Sequence, residues 1–413
     1  MKGKFYGETK PLTLLCFMNV LGFSLLALIK DNLYDMAKTL TTGVLFVALM
    51  VISYCLIKLL KMGDPYLLLP VTALLSIGLL MLTRINESIG KRQMLWFVIA
   101  IAVYFVSFFL YRAIRKRDSL FLMYAILSIG LFLATLIFGR TVNGAKNWIY
   151  IGEQGVQPSE FIRILYVFAL SALLEKRVGG KYFSTEWKKS ILINLYVYVN
   201  LGFLVIQREW GIAVLFFLIY FSLYFVFGEH KILLGVNALI ASLGCFIGYK
   251  LLYHIETRVA MWLDPFSDPS GRGYQIVQSL IAIASGGFVG KGLGNGNPYY
   301  VPLVQSDFIF SGICEEFGIL GGIGVILLYF IMVYRSFKIA LSVPDGFDKK
   351  VALGLSGMFA FQIFIILGGV IKLIPLTGIT LPFISYGGSS MVTSFIALGV
   401  LQAISVGERD SIE

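Results

Sequence analysis

The chain has 413 residues, of which 58% are hydrophobic and 14% are charged, and its formal net charge is +11. Together with a mean hydropathy of +0.84, this composition excludes an ordinary soluble domain. The positive charge does not indicate a nucleic-acid-binding protein, because no basic run or soluble domain carries it. We therefore predict a polytopic membrane protein whose lysines and arginines are concentrated in cytoplasmic loops.

Twelve apolar segments are candidates for membrane-spanning helices, each of which needs about 20 mostly apolar residues. The segments are approximately 11–29, 39–60, 66–83, 93–111, 119–138, 159–175, 189–206, 210–227, 231–252, 306–334, 349–372 and 386–406. An N-terminus on the cytoplasmic side leaves more than half of the lysines and arginines there. We predict an all-α fold of about twelve helices with both termini in the cytoplasm.

One long polar stretch, 253–305, separates the ninth and tenth predicted helices and is predicted to be extracellular. It contains carboxylates, cations, glycines and aromatic residues, so we expect it to carry the chemistry. The apolar pattern of 275–284 predicts a helix at the membrane surface. Neither the four cysteines nor the two histidines have the spacing of a metal site, and none is predicted.

Four motifs occur along the chain: TVNGAKNWIYIGEQGVQPSEFIRI (141–164), GRGYQIVQSLIAIASGGFVGKGLGNG (271–296), SDFIFSGICEEFGILG (306–321) and PLTGITLPFISYGGSS (375–390). In this order they resemble the SEDS proteins of bacteria, the RodA/FtsW/SpoVE family of cell-wall polymerases. The resemblance implies a ten-helix core in 66–406 that includes the loop 253–305. An extra helix pair in 1–65 would precede this core, and a cytoplasmic tail, 407–413, would follow it.

The chain departs from the family pattern at two places. In QREWGIA (207–213) the family usually has Asp-Leu-Gly after a Gln, whereas this chain has Glu209 and Trp210. Arg163 stands at a position that is more often Lys. Charge is kept at both places, so the expected fold is unchanged.

The resemblance implies a peptidoglycan glycosyltransferase that polymerises lipid II on the outer face of the bacterial cytoplasmic membrane, for elongation, division or sporulation. In this inverting transfer, a sugar hydroxyl attacks the anomeric carbon of a lipid-linked pyrophosphate sugar. No Walker loop or dinucleotide fingerprint is present, which agrees with a substrate that carries its own activation. The expected partners are lipid II, the nascent glycan strand, membrane lipids and a class B penicillin-binding protein.

The reaction requires a carboxylate that accepts the hydroxyl proton and cations that hold the leaving pyrophosphate. Asp268 is the predicted general base, because it matches the acidic position of the family motif within SDPSGRGYQ. From the residues alone, an Asp that caps a turn before Pro269 is the commoner reading. Asp264 is the nearest rival. A divalent cation that screens the pyrophosphate is compatible with this chemistry, but no other cofactor is evident.

Twelve further residues in the family-like segments and outer loops are predicted to bind substrate. They are Arg84, Lys146, Trp148, Arg258, Arg272, Tyr274, Gln275, Gln278, Lys291, Asp307, Ser385 and Ser389. For each cation the alternative is contact with lipid headgroups, and for Trp148 it is anchoring at the membrane interface. Glu160 and Arg163 are three positions apart on a predicted helix, and we expect them to form a structural ion pair.

Two other functions use the same features differently. A lipid II flippase would depend on buried charges such as Glu160 and Arg163, whereas a polymerase would depend on Asp268. A non-catalytic scaffold for a penicillin-binding protein would tolerate changes at both sites. The long charged loop argues against the scaffold, which has no use for it.

Overall fold

The computed structural model describes residues 2–29, 32–114, 117–142, 144–152, 154–175 and 186–406. This part of the chain contains fourteen α-helices. They are α1 (Lys2–Leu28), α2 (Leu33–Leu59), α3 (Leu68–Ile85), α4 (Glu87–Ala113), α5 (Phe121–Phe138), α6 (Pro158–Leu174), α7 (Glu186–Ile206), α8 (Trp210–Phe227), α9 (Ile232–Leu251), α10 (Tyr253–Leu263), α11 (Tyr274–Gly286), α12 (Ile309–Ser342), α13 (Phe347–Val370) and α14 (Gly388–Ile404).

All twelve predicted segments lie in helices, and the prediction of an all-α polytopic membrane protein is confirmed. Ten of the described helices are long and apolar enough to cross a membrane. Helices α6 and α14 have only 17 residues each and fall short of that length. The two additional helices, α10 and α11, lie in the predicted extracellular stretch. The predicted tail 407–413 lies outside the described residues.

A small antiparallel sheet between α5 and α6 was not predicted. It consists of β1 (Arg140–Val142), β2 (Ala145–Ile151) and β3 (Gln154–Val156), with β2 in the centre. Its outer strands have three residues each, too few to show the alternation of apolar and polar residues that identifies a strand in a sequence.

Helices α3 and α13 form the interior of the bundle, since 72% and 78% of their apolar windows are buried, whereas only 17% of α9 is. Helix α14 packs along α4 at two glycines. A Cβ atom at Gly388 would lie 2.2 Å from the ring of Trp96, and one at Gly399 would lie 2.5 Å from the carbonyl oxygen of Tyr104. These glycines therefore let the two helices approach closely.

The N-terminal pair packs on the rest of the bundle through α3 and α4. The hydroxyl of Ser76 in α3 donates to Asn19 Oδ1 in α1 at 2.5 Å. Gly43 in α2 lies against the ring of Phe23 in α1. The proposed boundary between residues 1–65 and the ten-helix core stays a prediction.

Helix α12 is broken at Gly318, whose φ and ψ angles of 69° and −173° are not helical. The segment that follows α11, residues 287–297, packs against this break, and we call it the patch loop. The end of the bundle that carries α10, α11 and the patch loop is called the loop end. The other end carries the salt bridge between Asp64 and Arg335, 2.8 Å long.

We predict that Gly399→Ala destabilises the protein by about 1–3 kcal/mol, because the added methyl group overpacks the contact between α4 and α14. Gly130→Ala in α5 is the control, since its Cβ atom would meet no heavy atom within 4 Å. Alanine there should be neutral or slightly stabilising, as it favours helix more than glycine does. The melting temperatures of both variants and of wild type are measured by thermal unfolding in detergent. A Gly399→Ala variant that melts at the same temperature as wild type would contradict the prediction.

Candidate active site at the loop end

Asp268 closes the turn that connects α10 with α11. The backbone N–H of Arg272 donates to its Oδ2 atom at 3.0 Å, and the Arg272 Nε atom lies 3.4 Å from the same oxygen. Gly271 passes so close that a Cβ atom there would lie 2.4 Å from Oδ1. The Asp268 side chain nevertheless remains 38% exposed. The carboxylate is thus held in place and accessible.

These contacts keep Asp268 ionised. The backbone N–H of Arg272 is the largest of the influences that lower the pKa of this carboxyl, and the Arg272 guanidinium adds to it. Asp264 is exposed and uses its backbone carbonyl to accept a hydrogen bond from the Ser267 hydroxyl at 2.7 Å.

Arg258 and Asp307 lie beside the segment that precedes α14. Arg258 on α10 donates to the carbonyl oxygens of Leu376 and Thr377 at 3.2 and 3.0 Å. A Cβ atom at Gly378 would lie 3.6 Å from Asp307 and 3.9 Å from Arg258, so both side chains approach this glycine. Removal of water raises the pKa of the half-buried Asp307, although its Ser306 hydrogen bond and the charge of Arg258 oppose the shift.

Two predicted cations, Arg84 and Lys291, are paired with carboxylates of α12. Lys291 Nζ lies 2.6 Å from Glu315 Oε1, and Arg84 Nε lies 3.3 Å from Glu316 Oε1. Arg84 also donates to the Tyr299 hydroxyl at 2.8 Å. In this arrangement both cations bind the protein itself, and contact with a substrate phosphate stays a prediction.

Lys146 and Trp148 lie apart from these groups, on β2. Lys146 Nζ donates to the carbonyl oxygen of Leu136 at 2.6 Å, at the C-terminal end of α5, where the helix dipole favours a cation. Trp148 is half-buried and packs against Gly155.

The remaining predicted substrate ligands lie on α11 and near the start of α14. Tyr274, Gln275 and Gln278 are half-buried in the first turns of α11. Ser385 is buried and donates to the carbonyl oxygen of Ser306 at 2.5 Å, which ties its own turn to the start of α12. Ser389 is buried in the first turn of α14. No described contact assigns these five residues to a substrate.

Glu160 and Arg163 form a buried salt bridge 2.6 Å long within α6. Arg163 also donates to Gln362 of α13 at 2.8 Å and to Thr393 of α14 at 3.0 Å. The guanidinium therefore links three helices, which is what a structural ion pair requires. Whether the pair also contributes to transport or catalysis stays open at this point.

In the sequence Glu209 departs from the family pattern, and with Asp264 it is an alternative to Asp268 as the base. It is 5% exposed, precedes α8 and accepts a hydrogen bond of 2.7 Å from Gln157 Nε2. Burial raises its pKa to about 7, although the polar groups of Ser159, Gln157 and Asn147 oppose the shift. The only sequence signal for this site is a single acidic residue between two apolar helices.

A cavity of about 810 Å³ lies at the opposite end of the bundle. Arg112, Arg117, Glu175 and Asp348 are among its lining residues. Arg117 and Asp348 already pair at 2.9 Å, and Glu175 pairs with Lys350 at 3.1 Å.

We place the candidate active site at the loop end because Asp268, the exposed and fixed carboxylate, lies there. Within the described residues, no group of three or more His, Cys, Asp or Glu side chains could hold a metal ion.

Comparison with protein families gives one model that covers most of the chain. The FtsW/RodA/SpoVE model, described as cell cycle protein, matches residues 54–410. The peptidoglycan glycosyltransferase RodA of Mycobacterium tuberculosis is 33% identical over 426 residues, which cover 96% of this chain and 90% of the relative. The stage V sporulation protein E of Bacillus subtilis is 34% identical over 370 residues, or 84% of this chain and 98% of the relative.

Solved structures also resemble the fold, including two that align over most of this chain. A chain from a structure described as structural coordination of polymerization and crosslinking by a peptidoglycan synthase complex aligns with a TM-score of 0.68 and 27% identity. The alignment covers 84% of this chain and 98% of that one. The crystal structure of the rod shape determining protein RodA of Thermus thermophilus aligns with a TM-score of 0.59 and 26% identity, over 85% and 98% of the two chains.

We predict that Glu209 releases its proton near pH 7. Isotope-edited infrared spectroscopy should show a protonated carboxyl band that disappears around that pH and is absent from Glu209→Gln. Since the folded-state pKa of about 7 lies above the ordinary value of 4.5, the folded state alone holds this proton between those values. Stability from this group therefore falls as the pH rises through that window, and Glu209→Gln should unfold at a higher temperature than wild type at pH 8.

Glu229→Gln is the matched control, because Glu229 is an exposed glutamate beyond the other end of α8. The protonated carboxyl band of Glu229→Gln should disappear around pH 7, as it does in the wild type. A Glu209 that is already fully ionised at pH 5 would contradict the prediction.

Proposed function

The chain belongs to the FtsW/RodA/SpoVE family of cell cycle proteins, and from this premise we propose that it is a peptidoglycan glycosyltransferase. Its substrate is lipid II, which it polymerises into glycan strands on the outer face of the bacterial cytoplasmic membrane. Relatives that are 33% identical over 96% of the chain carry the name peptidoglycan glycosyltransferase RodA. The observation that carries the site assignment is the exposed, ionised carboxylate of Asp268 in a fixed turn.

Asp268 acts as the general base in this proposal. As it removes the proton from the acceptor sugar hydroxyl, the hydroxyl oxygen forms a bond with the anomeric carbon of the donor. The bond between that carbon and the pyrophosphate oxygen breaks, and the lipid pyrophosphate leaves with the electron pair. Attack from the face opposite the leaving group inverts the anomeric centre. A carboxylate held at one position favours this geometry, because orientation contributes strongly to the rate.

Arg258 is the cation that we propose for the leaving pyrophosphate. It is exposed and donates to backbone carbonyls, with no carboxylate of the described residues within salt-bridge distance, although the charge of Asp307 lies near it. Planar guanidinium groups bind phosphate through paired hydrogen bonds. Arg272, beside Asp268, is the second candidate. A requirement for added Mg²⁺ or Mn²⁺ stays a prediction, with the ion bound to the substrate pyrophosphate.

A class B penicillin-binding protein is the proposed partner, which would crosslink the strands that this chain makes. The support is the likeness to a chain from a peptidoglycan synthase complex that is described as coordinating polymerization and crosslinking. The process served is elongation, division or sporulation, and relatives named RodA, stage V sporulation protein E and FtsW all match the chain.

A lipid II flippase is the second candidate function, because the buried pair Glu160–Arg163 could hold a charged headgroup inside the bundle. However, Arg163 is already engaged by Glu160, Gln362 and Thr393. A scaffold without activity would have no use for the fixed turn at Asp268. Both observations favour the glycosyltransferase.

We predict that Asp268→Asn lowers glycan polymerisation by about 10²–10⁴-fold, the usual contribution of a general base. Asparagine retains an oxygen that accepts the Arg272 N–H bond, so the turn should persist and the loss should reflect the missing base. Purified protein with its partner and labelled lipid II gives the measurement, with glycan products resolved on a gel.

Asp264→Asn is the matched control, since Asp264 lies four residues earlier and contributes a backbone oxygen to its turn. It should retain most of the activity. Full activity of Asp268→Asn would reject the base assignment. A wild type that makes no glycan, yet moves lipid II across vesicle membranes in a way that depends on Glu160, would favour the flippase.

The pH dependence gives a further prediction. A base works above its pKa, and the guanidinium of Arg272 helps to hold the pKa of Asp268 low. Arg272→Gln removes that charge but keeps the backbone N–H, so the pKa should rise partway towards its ordinary value. The acid limb of kcat/KM should therefore move to higher pH. Arg112→Gln, the same charge change at the opposite end of the bundle, should leave it in place; a shift to lower pH in Arg272→Gln would contradict the mechanism.

A further inference from the structure

The patch loop completes a broken membrane helix. At Gly318 the chain of α12 hydrogen bonds is interrupted, and the amides of Ile319 and Leu320 lose their helical acceptors. They donate instead to the carbonyl oxygens of Gly287 and Phe288, at 3.0 and 3.2 Å. Unpaired backbone groups are costly at a membrane helix, so the loop supplies a necessary set of partners.

The carbonyl groups on the other side of the break are satisfied in the same way. The Glu315 and Glu316 carbonyl oxygens accept hydrogen bonds from the amides of Lys291 and Gly292, at 3.1 and 3.0 Å. Backbone pairing on both sides of the break therefore joins the patch loop to α12.

The side chains of the two glutamates close over the loop. Glu315 Oε1 accepts hydrogen bonds from Lys291 Nζ at 2.6 Å and from the backbone N–H of Asn297 at 3.1 Å. Glu316 Oε2 accepts from the Gly294 amide at 3.1 Å, and its Oε1 faces Arg84. Both carboxylates are almost fully buried, with side-chain exposures of 4% and 0%. We call these two side chains, with Arg84 and Lys291, the glutamate clamp.

Glycines make this contact possible. A Cβ atom at Gly290 would lie 2.2 Å from the Glu316 carbonyl oxygen, and one at Gly318 would lie 2.4 Å from the Gly290 nitrogen. Both residues have positive φ, 88° and 69°. Gly290 and Gly318 therefore permit close backbone packing between the patch loop and α12.

Helix α11 connects the clamp to Asp268. Its C-terminal residue, Gly286, abuts the break, where a Cβ atom would lie 2.0 Å from the Cys314 carbonyl oxygen. Its N-terminus directly follows the Asp268 turn, in which the Gly273 amide donates to the Asp268 carbonyl oxygen at 3.0 Å. Midway, the Ser279 and Ser311 hydroxyls are 2.6 Å apart. A helix fixed at its far end in this way restricts where the turn can lie.

We propose that Glu315 and Glu316 are positioning residues for the glycosyl transfer, holding the patch loop in the break of α12 and thereby fixing α11 and Asp268. The catalytic part of this inference rests on the proposed function, whereas the role of the clamp in holding the loop does not. A different role for the same contacts makes the opposite prediction. If Arg84 and Lys291 bound substrate and the glutamates merely occupied them, removal of the glutamate charges would free both cations and lower KM.

The test compares wild type with Glu315→Gln and Glu316→Gln, which keep side-chain size and remove one charge each. We expect kcat to fall about 10- to 100-fold, since small displacements of a catalytic group have effects of this size. KM for lipid II should stay within about twofold. The acid limb of the pH profile should move to higher pH, as a looser turn weakens the Arg272 N–H bond to Asp268. Arg335→Gln, which breaks the Asp64 pair at the other end of α12, is the control.

Hydrogen exchange provides a readout without activity. The amides of Lys291, Gly292, Ile319 and Leu320 should exchange faster in both glutamine variants and remain protected in the control. Gly290→Ala, which displaces the loop without changing a charge, should reproduce both the exchange and the loss of kcat if a glutamine variant folds poorly.

Three results would overturn the proposal. Unchanged exchange would reject the clamp, and faster exchange with unchanged kcat and pH profile would reject the positioning role. A lower KM with unchanged kcat would assign the cations to substrate. If wild type makes no glycan, the proposed function fails, and with it the catalytic part of the inference, while the exchange data still decide whether the glutamates hold the loop.

Discussion

Charges buried between membrane helices must be neutralised within the protein, and the Glu160–Arg163 salt bridge meets this constraint where α6 contacts α13 and α14. An unpaired charge at such a position costs about 2.5–3.5 kcal/mol by insertion scales. Because Arg163 also binds Gln362 and Thr393, the pair sets the arrangement of α6, α13 and α14 together. The last carbonyl of α13, that of Val370, accepts a hydrogen bond from the Ser279 hydroxyl of α11, so α11 is fixed to the same core.

The membrane-spanning helices could be predicted from the sequence because long apolar segments identify them. Length and hydropathy do not predict short strands or a break within an apolar helix. The sheet of β1 to β3 is too short to show a period, and the break at Gly318 lies within a continuous apolar helix pattern. A glycine in such a pattern is ordinary. Only the neighbouring loop, in which the Gly287 and Phe288 carbonyl oxygens accept hydrogen bonds from α12, reveals the interruption.

Asp268 could be proposed as the centre of the candidate site from the sequence, whereas the contacts around it could not be predicted. Asp268 could be selected because a sequence motif surrounds it. In the structure its side chain accepts the hydrogen bond that closes the turn, as expected of an Asp that caps a turn. Its carboxylate nevertheless remains accessible. Arg84 and Lys291 were predicted as phosphate ligands, yet both contact glutamates of α12. Such pairing depends on tertiary packing between distant segments. For the same reason, the raised pKa of Glu209, a consequence of burial, could not be read from its position in the chain.

The packing of α14 along α4 has a consequence for how the protein is made. Helix α4 leaves the ribosome well before α14, and the face that bears Trp96 and Tyr104 receives its partner only with α14, the last of the described helices. Gln402, near the end of that helix, also donates to the carbonyl of Asp64 at 2.9 Å, which joins the last turn to the connection before α3. During synthesis, lipid or an insertion factor must cover this face. A nascent chain that stalls before α14 therefore leaves this face of α4 without its protein partner.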